Sequence, residues 1–376
     1  MNNKIWLSSP HMSEDNLEIN FINKAFDTNW IAPLGKNVDD FEKEICLYTG
    51  SKEAVALSSG TSAIHLGLKA LGIKKGDKVA CQSFTFSASA NPILYEGATP
   101  IFVGSEEDTW NMSPALLEHA LKENNDIKVV IVVNLYGISA KLDEIRSICK
   151  KYDVKLLEDA AESLGTFYKG KSTGLYGDVG IFSFNGNKII TTSGGGMLVT
   201  HSKEIRDKVQ FWATQSREPY LHYEHEEVGY NYRLSNILAG VGIGQMKVLN
   251  DRVKRKRRIH ELYSEEFKDV EVIKVHTAGP DDYANYWLTC LVFSSSDLRD
   301  KVLSYLKTYS IESRPLWKPM HLQPIFEKYA YYGEDVEVEL FENGLCIPSD
   351  TKLSDKEIKF VAKKIKEVCN DESHIY

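Results

Sequence analysis

The passage Phe182-Ser183-Phe184-Asn185-Gly186-Asn187-Lys188, followed by Thr191-Thr192-Ser193-Gly194-Gly195-Gly196, decides how the rest of the chain is read. An apolar, strand-like run ends in a polar turn that presents one lysine. Three consecutive glycines then let the backbone pass close to another group before the next strand-like run. A lysine held in a dry pocket loses its charged form and becomes a nucleophilic amine. Taken alone, the passage reads better as a surface lysine in a flexible glycine loop.

Outward from this passage, short β-branched runs at 54–57, 78–81, 100–103, 129–134, 155–158, 179–183 and 197–200 alternate with amphipathic stretches at 62–71, 113–123 and 142–152. Several runs lack polar alternation, as strands covered on both faces require. The alternation predicts an α/β fold with a largely parallel sheet, whose ligands collect where loops leave the carboxyl ends of the strands. A helical pattern at 13–27 and a turn-rich passage at 29–35 come before it. After a long helical pattern at 250–267, strand-like segments at 286–293 and 311–314 and helical ones at 298–309 and 354–368 read as a smaller α+β domain. The expected division is a large α/β domain with an N-terminal arm over 1–250 and a small domain over 251–376. No repeat, low-complexity tract or glycine-serine linker separates them, so close packing is expected.

With 376 residues, 43% of them hydrophobic and 26% charged, the chain has the make-up of a globular protein with a sizeable core. A formal charge of -8 argues against nucleic-acid binding. The basic run Lys254-Arg255-Lys256-Arg257-Arg258 reads as a solvated helix face. Six scattered cysteines with no Cys-x-x-Cys pair read as free thiols in a reducing compartment, with no metal site. The N-terminal stretch has no signal-peptide core and no apolar run approaches a membrane span, so a cytoplasmic protein is expected.

Three further loops change the reading of Lys188. In Leu156-Leu157-Glu158-Asp159-Ala160-Ala161-Glu162-Ser163 a hydrophobic strand ends in two acids and two alanines. An aspartate there can pair with a pyridinium nitrogen, and a small Ala161 leaves room for a flat ring; an acid that merely caps a helix would look the same. In Ser58-Ser59-Gly60-Thr61-Ser62-Ala63 small residues open an amphipathic helix and leave backbone N–H groups free for phosphate, as an ordinary N-cap also would. In Ser83-Phe84-Thr85-Phe86-Ser87-Ala88-Ser89 an aromatic after a strand is placed either to stack on a ring or to join the core.

In their order and shared position, these pieces resemble the DegT/DnrJ/EryC1/StrS family of pyridoxal-phosphate-dependent nucleotide-sugar aminotransferases, over essentially the whole chain. Gly229-Tyr230-Asn231-Tyr232-Arg233-Leu234-Ser235 and Arg314-Pro315-Leu316-Trp317-Lys318-Pro319-Met320-His321 extend the match. The resemblance implies a fold-type-I, aspartate aminotransferase-like large domain with a mixed, mostly parallel sheet, plus a smaller α+β C-terminal domain. It implies that Lys188 carries pyridoxal 5'-phosphate as a Schiff base and shuttles the proton, and that Asp159 partners the pyridine nitrogen. Phe86 would stack on one ring face and Ala161 on the other. Thr61, Ser62 and Ser183 would hold the phosphate, with Asn231 reaching across from a second subunit of a homodimer. Glu162, where many relatives have glutamine, would lie near the ring hydroxyl. Arg233, Arg314, Lys318 and His321 are the implied substrate contacts; a basic turn held by two prolines is the other reading of the last three. Family members with histidine in place of the lysine dehydrate sugars, and Lys188 puts this chain on the aminotransferase side.

Within the family the chain most resembles the UDP-4-keto-6-deoxy-N-acetylglucosamine 4-aminotransferases of the bacillosamine pathway, through Ser9-Pro10-His11-Met12, Ile31-Ala32-Pro33-Leu34-Gly35 and Leu221-His222-Tyr223-Glu224-His225. That likeness implies ping-pong transfer from L-glutamate to C4 of the keto sugar. A GDP-linked 4-keto-6-deoxymannose or a 3-keto sugar is the alternative substrate. A catalytically inactive binding or regulatory protein of the same fold is the alternative of another class.

Overall fold

The computed structural model describes residues 4–372, so residues 1–3 and 373–376 of the two expected domains lie outside the described residues. Seven strands come first in the large sheet: β1 (Glu53–Leu57), β2 (Lys78–Gln82), β3 (Thr99–Val103), β4 (Ile127–Val133), β5 (Lys155–Asp159) and then, after a hairpin of β6 (Phe167–Tyr168) and β7 (Lys171–Ser172), β8 (Val179–Ser183) and β9 (Gly196–Thr200). The later strands are β10 (Ile273–Val275), β11 (Asp282–Tyr283), β12 (Thr289–Phe293), β13 (Arg314–Pro315), β14 (Tyr331–Tyr332) and β15 (Gly344–Ile347). The large sheet has eight strands in the order β1-β9-β8-β5-β4-β2-β3-β14. Only β9 runs against its neighbours; the other contacts are parallel.

Unbroken apolar runs form these strands because both faces are covered. Leu157, Val179, Ile181 and Leu198 face one layer, which contains α3 (Gly60–Ala70) and residues Val209 and Trp212. Leu156, Phe182, Met197 and Val199 face the opposite side. There they meet α2 (Lys36–Thr49) and α8 (Asn236–Met246) near β8 and β9, and α5 (Pro114–Glu123) and α6 (Leu142–Lys151) near β4 and β5. The first helix, α1 (Leu17–Asp27), starts later than its pattern suggests, because Ser13 is held outside it by Glu18, whose carboxylate accepts the Ser13 N–H at 2.9 Å. α2 was not anticipated, although Val38, Phe41 and Ile45 recur at helical spacing and are fully buried.

A second sheet, β10-β12-β15-β13, packs on α9 (Leu249–Phe267), α10 (Ser296–Thr308) and α12 (Asp355–Glu372) around its own apolar cluster. The chain crosses the expected division at residue 250 in three places. β14 joins the edge of the large sheet beside β3, β11 pairs with β6, and Ile5 of the N-terminal arm bridges Ile311. The strand expected at 311–314 is reduced to that bridge and to β13.

The basic run on α9 is not a uniformly solvated face. Lys256 is buried, because it shares the inward face of the helix with Val253, His260 and Tyr263. Its ammonium donates to the Trp287 carbonyl at 2.7 Å, and the Arg257 guanidinium donates to the Ala284 carbonyl at 2.7 Å. Cys46, Cys81, Cys149, Cys290 and Cys346 carry free thiols. Among the described residues no helix is long and apolar enough to cross a membrane.

Candidate active site

The parallel strands deliver their carboxyl ends to one edge of the large sheet, and a cavity of about 300 Å³ opens there. Thr61, Phe86, Asp159, Ala161, Glu162, Ser183 and Lys188 all line it, from the start of α3, the segment after β2, the β5 end and the end of β8 with its connection to β9. The lysine is presented by the β8–β9 connection. That loop is closed by the Phe184 N–H donating to the Gly195 carbonyl at 2.9 Å and by the Thr192 N–H donating to the Phe184 carbonyl at 3.0 Å. The glycine run is needed where the loop meets the start of α3: a Cβ on Gly196 would lie 2.3 Å from the Ser59 carbonyl carbon. Gly194 and Gly195 line the cavity directly.

The side chain of Lys188 is only 11% exposed, with Nζ 3.3 Å from Glu162 Oε1 and 3.9 Å from the centroid of the Trp287 ring. Glu162 is fixed from the other side by the Tyr136 N–H, which donates to Oε2 at 2.7 Å. Tyr136 adopts φ 55°, a conformation uncommon outside glycine, and so aims its N–H at the carboxylate. Burial raises the Glu162 pKa above the usual carboxylate range, opposed chiefly by Lys188 and by the Tyr136 N–H.

Asp159 closes the floor at the end of β5. Its Oδ2 accepts from the Ser89 hydroxyl at 2.6 Å and its Oδ1 from the Ala161 N–H at 3.1 Å. Burial raises its pKa, opposed by Ser89, Ala161 and Lys188 in that order. A cation arriving at this carboxylate would oppose the shift, since opposite charge favours the ionised form. At the far end the first turn of α3 contributes Ser59, Gly60 and Thr61, with its free N–H groups and dipole.

Other expected site residues lie outside this cavity. The Ser62 hydroxyl is engaged by Ser59 at 2.8 Å and Ser58 at 3.1 Å. Asn231 is exposed and pairs with Thr214. The buried guanidinium of Arg233 donates to Glu42 at 2.8 Å and to the Ala56 carbonyl at 3.1 Å. Arg314 and Lys318 line a second cavity of about 520 Å³, which shares Phe86, Asn187, Trp287 and Trp317 with the first. His321 lines neither; its ring stacks on Tyr331 at 3.7 Å and its Nδ1 meets the Ser83 hydroxyl at 2.7 Å. Phe86 is 57% exposed, with its ring 4.9 Å from that of Trp317, so it is not a core aromatic.

Sequence reasoning passed over Ser89, Trp287 and Ser59 as site residues. Ser89 carried a readable signal, three residues after Phe86 and so one helical turn on. Trp287 carried none, because its contact with Lys188 joins segments far apart in the chain.

The model of the DegT/DnrJ/EryC1/StrS aminotransferase family matches residues 12–366. The chain belongs to this family. Over 95% of its length it is 51% identical to EpsN of Bacillus subtilis, a provisionally named pyridoxal phosphate-dependent aminotransferase, covering 94% of that protein. It is 34% identical to the GDP-perosamine synthase of Escherichia coli O157:H7, covering 94% of this chain and 96% of that one. It is 38% identical to the UDP-4-amino-4,6-dideoxy-N-acetyl-beta-L-altrosamine transaminase of Campylobacter jejuni, over 69% of each chain. The provisionally named sugar aminotransferase Spr1654 of Streptococcus pneumoniae, solved in its PLP form, superposes with a TM-score of 0.91 at 26% identity, covering 98% of this chain and 99% of that one.

As a member of the DegT/DnrJ/EryC1/StrS family the protein is a pyridoxal-phosphate-dependent sugar aminotransferase. The residues present fit that cofactor: an amine facing a cavity, a buried carboxylate on the floor and a helix N-terminus at the far end. Bound there, pyridoxal phosphate supplies an aldehyde carbon and a ring that draws electrons from the reacting carbon.

Proposed function

We propose that this enzyme moves the amino group of L-glutamate to C4 of a UDP-linked 4-keto-6-deoxy sugar, UDP-2-acetamido-2,6-dideoxy-α-D-xylo-hexos-4-ulose, giving the UDP-4-amino sugar of the bacillosamine pathway. The observation that carries amino transfer is the placement of Lys188 Nζ between the Glu162 carboxylate and the Trp287 ring, in one cavity with buried Asp159. Lys188 holds the cofactor and carries the proton on Nζ. Asp159 would hold the ring through its nitrogen, Phe86 and Ala161 would cover its faces, and Glu162 would lie near its hydroxyl. Thr61 and Ser183 hold the phosphate, and Ser62 supports that end through its hydroxyl contacts.

Homodimer formation is part of this proposal. Asn231 is exposed on its own chain, and so are the apolar side chains Leu221 and Tyr223 of the same 220–232 stretch. A second copy would cover this loop and bring Asn231 to its neighbour's phosphate end. We place the enzyme in the cytoplasm, where nucleotide sugars and glutamate are available.

The second substrate reading is a GDP-linked 4-keto-6-deoxymannose, favoured by the full-length similarity to a GDP-perosamine synthase. Purified enzyme with glutamate, assayed against both keto sugars, separates the two. A kcat/KM at least tenfold higher for the UDP sugar is expected; a preference for the GDP sugar overturns the assignment. A bound cofactor whose absorbance does not change on titration with glutamate would favour a binding protein instead.

A further inference from the structure

Trp287 touches both the reactive lysine and the residue before it. Its indole face lies 3.9 Å from Lys188 Nζ, and its Nε1–H donates to the carbonyl of Asn187, the residue immediately before the lysine, at 2.7 Å. The Ser8 hydroxyl of the N-terminal arm donates to the same Asn187 carbonyl at 3.0 Å. Trp287 is itself held by both of its backbone groups. Its N–H donates to Asn285 Oδ1 at 2.8 Å, and its carbonyl accepts from Lys256 Nζ at 2.7 Å. The Asn285 amide also donates to the Glu162 carbonyl at 3.0 Å, so the two sides of the Lys188–Glu162 pair are tied to one tryptophan.

We propose that Trp287, anchored by Lys256 and assisted by Ser8, is the positioning residue that fixes Lys188 in the cavity. Two features separate this arrangement from ordinary packing. A buried lysine is costly to keep unless its ammonium has a fixed partner, and Lys256 spends its shortest hydrogen bond on this one carbonyl. A flat indole face packed 3.9 Å from the end of the Lys188 side chain also restricts its rotamers, and that restriction persists when the nitrogen is bonded to the cofactor. The clamp joins three parts of the chain: the arm, α9 and the segment before β12.

This inference rests on Lys188 being the cofactor-bearing lysine. The experiment uses the enzyme loaded with pyridoxal phosphate as wild type, Trp287→Phe, Lys256→Met, Ser8→Ala and the Ser8→Ala/Trp287→Phe pair. Borohydride reduction and peptide mapping first identify the modified lysine. Visible circular dichroism of the bound cofactor, melting temperature, and kcat and KM for both substrates follow. Trp287→Phe keeps a ring and removes the indole donor, so it is expected to lower kcat at least tenfold, leave both KM values within twofold and at least halve the dichroic band. Ser8→Ala alone should cost less than threefold. In the Trp287→Phe background it should cost more, because the Asn187 carbonyl then has neither donor. Lys256→Met should reproduce the dichroic loss; if it does not fold, Trp287→Phe and the pair decide.

A native dichroic band and native kcat in Trp287→Phe overturn the positioning role, even if the melting temperature falls. Modification of a lysine other than Lys188 overturns the functional reading as well, which keeps the two failures apart.

Discussion

Ser89 reaches Asp159 across 2.6 Å from a position 70 residues earlier in the chain. The first turn of the helix Ser87–Tyr95 carries it, and the Thr85 hydroxyl meets its own at 2.8 Å. A hydrogen bond to a carboxylate favours the ionised form, and burial opposes that form. Ser89 therefore holds the Asp159 pKa below where burial alone would put it.

Ser89→Ala removes that hydrogen bond, so the Asp159 pKa should rise further. The acidic limb of the kcat/KM profile is expected to move to higher pH, with kcat at its plateau reduced about tenfold, equal to about 1.4 kcal/mol. A profile that overlays the wild type would show that Ser89 does not govern the ionisation of Asp159.

Arg233 was expected at the substrate, yet its guanidinium is buried against Glu42 and the Ala56 carbonyl. Arg233→Ala should act on folding, leaving the Glu42 carboxylate without its cation at a cost of about 3 kcal/mol. Urea denaturation is expected to show that loss, with KM for the sugar within twofold of wild type. A large KM change at unaltered stability would restore Arg233 to the substrate site.

The strands were legible in sequence because burial on both faces leaves unbroken apolar runs, and Val179–Ser183 has the same bounds in sequence and structure. Asp159 was legible as the last residue of such a run, and Lys188 as the lysine of the polar turn that follows another. Partnerships were not. Lys256 reads as one of five basic residues, and only its face, shared with Val253 and Tyr263, separates it from its solvated neighbours. Arg233 stands in a motif that marks the family, but nothing local shows that Glu42 faces it. Long-range pairs depend on how layers stack, which a one-dimensional pattern does not encode.

Burial pushes the pKa of Lys256 down to about 7, whereas an unfolded lysine titrates near 10.4, roughly the free side-chain value. Between those values the unfolded chain binds more protons, so the contribution of Lys256 to stability rises with pH; as pH falls to 7 that gain is lost. The unfolding free energy of wild type minus that of Lys256→Met should grow between about pH 7 and pH 9.5, by at most about 1.4 kcal/mol per pH unit. Parallel stability curves would mean that the ammonium titrates as it does in water.

The two cavities share Phe86, Asn187, Trp287 and Trp317, so a nucleotide sugar whose keto carbon enters the first can rest its diphosphate in the second. Arg314 and Lys318 are the cations there, and they are not equivalent. The Arg314 guanidinium already donates to Glu312 at 2.9 Å, while Lys318 has no carboxylate within ion-pair distance among the described residues. An unpaired ammonium gives its full attraction to an arriving anion, whereas a paired guanidinium must first share its charge. Lys318→Ala is therefore expected to raise KM for the nucleotide sugar about tenfold, or about 1.4 kcal/mol, and Arg314→Ala by less than threefold. The half-reaction with glutamate, followed by loss of the visible absorbance of the bound cofactor, should keep its rate in both variants. Rising salt should narrow the gap between wild type and Lys318→Ala, because an exposed charge is screened. Equal KM effects in the two variants would show that Glu312 releases Arg314 when the diphosphate arrives.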